Sequence, residues 1–152
     1  MPESDVIARA KQDKEEGKSP STQAGEFVRE EIDHVRHGVH GARSAKQAIA
    51  IGLSKARRAG VNLPPPKKDT SSDSVRRQAQ RDLSRGRKNK SGRKTSGSRS
   101  AATTAALKRE SSRSASHEAL SKQARNTAKR RGSAARKRSA RKAARTRSHS
   151  KS

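Results

Sequence analysis

The sequence has no cysteine, no tryptophan and no tyrosine, and its one aromatic carbocycle is Phe27. Without cysteine there is no disulfide scaffold, no zinc–thiolate centre and no thiol catalysis. Apolar residues are also scarce: 26% of 152, where a globular chain has nearly half. So little apolar surface offsets the entropy of ordering the backbone only locally. One compact fold over the whole chain is not expected, nor is an enclosed active site. The chain reads as non-enzymatic, with no catalytic residues and no cofactor. No run approaches the roughly 18 apolar residues that span a bilayer, so no membrane partner is expected. The opening Met1-Pro2-Glu3-Ser4-Asp5 is acidic and lacks an apolar core, unlike a secretory signal or a mitochondrial presequence. A cytoplasmic protein is expected.

What the chain has is positive charge: 39 Lys and Arg against 14 Asp and Glu, a net +25. It is unevenly spread. Residues 1–66 hold 11 basic and 9 acidic side chains, and residues 67–152 hold 28 and 5. From residue 119 onward there are 13 basic residues and no acid. The shift falls at Leu63-Pro64-Pro65-Pro66-Lys67-Lys68, where three prolines forbid helix continuation. This predicts a mostly disordered chain with α-helical segments: a short helix-turn-helix hairpin plus a basic, partly helical tail. Residues 1–20 read as a charged flexible arm in which Val6 to Ala10 forms a helical turn on binding. Residues 21–63 read as a two-helix module, 64–71 as a Pro-rich linker, and 72–152 as a basic tail, largely disordered alone.

Within the module, Ser21 or Thr22 is a candidate cap for a first helix. Val28, Ile32, Val35 and Val39 follow at spacings of four, three and four, an apolar stripe on one face. Gly38 and Gly41 end that helix. Ser44 and Gln47 form an S-x-x-Q capping box, in which Gln47 reaches back to the Ser44 N–H. The second helix runs to Lys55, Arg57 and Arg58, and Gly60 with Val61 predicts a Schellman ending. Two such helices bury little by themselves, so self-association or a protein partner through 21–63 is expected.

Val28 through Gly60, most sharply Ser44-Ala45-Lys46-Gln47-Ala48-Ile49-Ala50-Ile51-Gly52-Leu53-Ser54-Lys55-Ala56-Arg57-Arg58-Ala59-Gly60, resembles a small bacterial domain family of uncharacterised function. Its pattern is S-x-K-Q-A-I-A-I-x-L-S-x-A-R-x-x-G. The resemblance implies a helix-turn-helix module in a bacterial cytoplasmic protein. Similar chains sometimes carry a plasmid-stabilisation label, which implies a plasmid-maintenance or partner-regulating role for 21–63. The Ala/Ser/Arg/Lys-rich end resembles the linker-histone-like tails of bacterial nucleoid proteins.

In the tail, helical fragments are expected over 72–85, 101–109 and 116–131, the last ending at Gly132. Lysine and arginine displace the counterions condensed on a polyanion, which favours binding without base reading. The candidate phosphate contacts are Arg130, Arg131, Arg136, Lys137, Arg138, Arg141, Lys142, Arg145 and Arg147. If the module reads DNA instead, the candidates are Arg43, Lys46, Lys55, Arg57 and Arg58. The partner expected is nucleic acid, DNA before RNA, at the nucleoid. An RNA- or ribosome-associated role is the alternative.

Two other groups invite attention. His34, His37 and His40 would spread over about 300° of a continuous helix, and a metal would want a further ligand such as Asp33. They read as exposed histidines, and no metal is expected. Glu26, Glu30, Glu31 and Asp33 read as a solvated helix face.

Overall fold

The computed structural model describes residues 4–88 and 97–149. Residues 89–96 and 150–152, part of the expected disordered tail, lie outside the described residues. Six α-helices and no strand are present among those described. They are α1 Ser4–Glu15, α2 Pro20–Arg36, α3 Ala45–Arg58, α4 Asp73–Lys88, α5 Gly97–Lys108 and α6 His117–His149. The expectation of a mostly disordered chain is therefore corrected. The chain divides into two compact units, Met1–Ser116 and His117–Ser152.

In the first unit, the segment expected as a loose arm carries α1. Its Val6 and Ala10, four apart on one face, are buried with Ala24 and Phe27 of α2, Ala56 of α3 and Val61. Leu53 and Leu63 pack against this cluster. A second cluster joins Val35, Ala42, Ala48 and Ala115, with Ile32 beside it. Much of this core is alanine. Counting large apolar side chains undervalues such a core, because small residues let helices approach closely and bury backbone as well.

Gly52 shows how close the approach is. A Cβ at this position would lie 2.6 Å from the Cα of Val28, where α3 crosses α2. The neighbour is backbone and cannot swing aside. Gly52→Ala gains up to about 1 kcal/mol of helix propensity but incurs overpacking of about 1–3 kcal/mol. A lower thermal midpoint is the expected result. A higher one would mean that α2 and α3 slide apart freely.

The cap of α2 is Ser19, with Pro20 at the first helical position, and not Ser21 or Thr22; the Ser19 Oγ accepts from the Thr22 N–H. The helix ends at Arg36, two residues before Gly38. Val39 consequently leaves the expected stripe and is 55% exposed. The buried residues of α2 are Gln23, Ala24, Phe27, Glu30, Glu31 and Val35, so of the expected stripe only Val35 is buried. At α3, Ser44 accepts from the Gln47 N–H as the capping box requires. The return bond differs: Gln47 Oε1 takes the N–H of Arg43 at 2.6 Å, one residue earlier than expected. The end of α3 is the Schellman pattern, with Gly60 at φ 100°, the Val61 N–H donating to the Ala56 carbonyl and Val61 buried.

Helix α4 and residues 107–115 make contacts with the first three helices. Ala79 and Leu83 of α4 are buried, and α4 packs on α3. At Gly86 a Cβ would lie 1.9 Å from the Arg57 carbonyl oxygen. After α5, the chain meets the α2–α3 turn. The N–H groups of Gly41 and Ala42 donate to the carbonyls of Leu107 and Ser111, and Arg36 donates to the Ala115 carbonyl. The apolar faces of α2 and α3, which alone bury too little, are thus covered from within the chain.

The second unit is α6. No residue of it is buried. Its backbone departs from helix at Gly132, with φ 74° and ψ 166°, where the sequence predicts an ending. Helix then resumes over residues expected to be disordered.

Candidate functional site: a basic helix and a buried charge cluster

The nine tail residues singled out from sequence all lie on α6 and are all exposed: Arg130, Arg131, Arg136, Lys137, Arg138, Arg141, Lys142, Arg145 and Arg147. Helical steps of 100° place Arg136, Lys137 and Arg138 on different sides, and Arg141 and Lys142 fill the gaps between them. Charge therefore surrounds this helix. Several of these side chains lie along it, as Arg136 on the Gly132 carbonyl and Arg131 on Ser139. Such contacts are exposed and exchangeable. Glu118 is the one acid of α6.

The module's five candidates are placed differently. Arg43 and Lys46 are exposed, with Arg43 3.8 Å from Glu110. Arg57 is buried and donates to the carbonyls of Leu63 and Pro64. Burial pushes its guanidinium below its ordinary value, against the opposing pull of Asp82. Arg58 lies 3.6 Å from the buried Asp82. Lys55 reaches Glu31 at 2.5 Å. Three of the five are thus engaged within the first unit, Lys55 with α2, Arg58 with α4 and Arg57 with the segment after α3.

The acidic face of α2 is not solvated as expected. Glu30 is 6% exposed and Glu31 fully buried. Glu31 sits four residues from both Phe27 and Val35, on the same buried stripe. Its Oε2 accepts from Lys55 Nζ, and its Oε1 lies 2.9 Å from His40 Nε2. That second contact is out of line for a hydrogen bond, and Oε1 is a buried oxygen without a hydrogen-bond donor.

His40 reaches Glu31 because α2 has already ended. The chain turns back after Arg36, so the angular spread computed for a continuous helix does not apply. Glu31, His34 and His40 each present one ligand-type atom, all within 4.8 Å of one another. The two imidazoles stand edge to face, 6.2 Å between centroids. The extra carboxylate is Glu31, and not the Asp33 that the sequence suggested. His37 stays apart, exposed, its Nδ1 on the Asp33 carbonyl. His34, His37, Asp33 and Glu30 line a groove between α1 and α2 of about 390 Å³, together with Val6, Arg9 and Arg29.

Among the described residues no helix is long and apolar enough to cross a membrane. Residues 13–68 match a family of unknown function (DUF6496). The matched stretch runs from within α1 to just past the three prolines, and it contains the whole Glu31–His40–Lys55 cluster. No curated protein and no solved structure is similar to the chain.

Proposed function

We propose that this protein is a non-enzymatic, nucleoid-associated, histone-like nucleic-acid-binding protein that engages DNA phosphates through α6 with little sequence choice. The observation that carries the reading is a helix with no buried residue, with exposed basic side chains on every side and a single acid near its start. Lysine and arginine so displayed release condensed counterions from a polyanion, and that gain is blind to base sequence. Base stacking needs aromatic platforms. Phe27, the sole candidate, is sealed in the core at 1% exposure. A lipid surface fits less well, because α6 has no bulky apolar or aromatic face to insert.

The Met1–Ser116 unit is then the scaffold from which α6 is presented. Gel shifts of the full chain on two unrelated duplexes of equal length should give affinities within roughly threefold of each other, as phosphate contacts carry no sequence information. A structured RNA bound more than about tenfold tighter than either duplex would move the reading to an RNA- or ribosome-associated protein.

A further inference from the structure

We propose that Glu31, His34 and His40 form a binding site for a zinc-class divalent metal ion, in which two imidazole nitrogens and one carboxylate oxygen are the protein ligands. Nitrogen and oxygen donors of this kind suit Zn²⁺, and two histidines with one glutamate are a known three-ligand set for it.

The hydrogen-bond pattern around His40 points to a cation. Its Nδ1 is 2.9 Å from the Gly41 carbonyl oxygen, which can only accept. Nδ1 therefore carries the proton, and in the neutral ring Nε2 presents a lone pair. That lone pair is 2.9 Å from Glu31 Oε1, which also has only lone pairs to offer. Two facing acceptors at this distance need something positive shared between them, and the N–H geometry for a proton is poor. An imidazole anchored through Nδ1–H on a backbone carbonyl is the arrangement that fixes a metal-ligating tautomer.

The rest of the cluster is consistent. Lys55 occupies Oε2 and leaves Oε1 for another partner. The carboxylate is fully buried and the His40 side chain is 12% exposed, so little water competes for the position. Ligand bonds of about 2.0–2.1 Å in a tetrahedral site set the donors about 3.3 Å apart, so the widest pair has to close by about 1.5 Å at most. Rotation of the His34 imidazole covers that, since His40 Nε2 already lies 2.9 Å from Glu31 Oε1 and its ring stays on the Gly41 carbonyl. His34 also lines the groove between α1 and α2, which gives the ion a path in from solvent. Bound there, the ion would fasten the turn after α2 to the helix it leaves.

The test uses the full chain, stripped with a chelator and titrated with zinc chloride in a calorimeter, with imidazole ¹⁵N spectra recorded alongside. One zinc per chain is expected, with the His34 and His40 nitrogens shifted and the thermal midpoint raised. His34→Gln and His40→Gln should each weaken binding by roughly tenfold or more, while His37→Gln leaves it unchanged. Circular dichroism without metal checks that the variants fold. Should His40→Gln fail that check, His34→Gln decides. No stoichiometric binding would overturn the site, as would equal affinity in the His34→Gln protein or equal losses in the His37→Gln protein. A proton still on His40 Nε2 in excess zinc would do the same, leaving a plain imidazolium–carboxylate pair.

Discussion

A chain ending at Ser116 is expected to bind duplex DNA at least roughly a hundredfold more weakly than the full protein at moderate salt, because it loses the phosphate contacts of α6. The expectation follows from where the charge is usable. Residues 117–152 carry 13 basic and one acidic side chain, +12 of the total +25, which leaves +13 on residues 1–116. Net charge alone would then predict an even division of affinity. But in the first unit the excess is dispersed: 26 basic side chains are interspersed with 13 acidic ones, and Arg57 is buried on two carbonyls. On α6 every cation faces solvent. If about 8 of them meet phosphates, the log–log dependence of affinity on salt has a slope near −7, at about −0.9 per phosphate. Shuffling the α6 residues while keeping helix formers and Gly132 should change little, since no single face carries the charge. A truncated chain that kept both affinity and slope would move the binding surface to the first unit, with Arg43 and Lys46 the exposed candidates on that side.

Phe27→Ala should be the most damaging single substitution in the first unit. Phe27 is the largest buried side chain, and it touches the cluster that joins α1, α2, α3 and Val61. Truncating a buried phenylalanine costs about 3–5 kcal/mol. Domains of this size have about 5–15 kcal/mol in all. The other buried members of its cluster are alanines and valines, with only Leu53 and Leu63 beside them, so few large groups can close the hole. The thermal midpoint should fall by about 12 °C or more, at about 4–8 °C per kcal/mol. Low-salt DNA affinity should change only a few-fold, because α6 owes none of its exposed charge to that core. Loss of binding in step with unfolding would instead tie the two units into one binding surface.

The ends of α3 were legible in the sequence because they depend on local chemistry. A serine followed three residues later by glutamine, and a glycine followed by valine, settle their own hydrogen bonds wherever the helix sits. The buried face of α2 was not legible. Val28 and Ile32 advertise a stripe offset by one residue, about 100°, from Phe27 and Glu31; only Val35 belongs to both, and the true stripe contains an acid. Ala24, Phe27, Glu31 and Val35 follow spacings of three, four and four as faithfully as the valines do. What hides the pattern is Glu31, tolerated there because Lys55 reaches it from 24 residues away. The same distance effect concealed the histidine cluster, which forms only because the helix stops at Arg36. The membership of α4 and residues 107–115 in the first unit was hidden too. Gly86 and Gly41 reveal it through absent side chains, and an absent side chain looks like flexibility until the neighbouring carbonyl is seen.

Gly132 sets the reach of the basic arm. At 1.5 Å per residue the stretches on either side, 15 residues from 117 to 131 and 17 from 133 to 149, are rods of about 22 and 26 Å. Laid on a duplex, as the proposed function requires, each would cover six to eight base pairs, at about 3.4 Å per pair. A single straight rod of nearly twice that length would lift off a duplex whose phosphate lines wind away beneath it. Two short rods joined at an elbow can each lie along their own stretch of backbone. The φ and ψ of that elbow belong to a region that only glycine occupies cheaply. One residue without a side chain thus divides some dozen cations between two short rods instead of one long one.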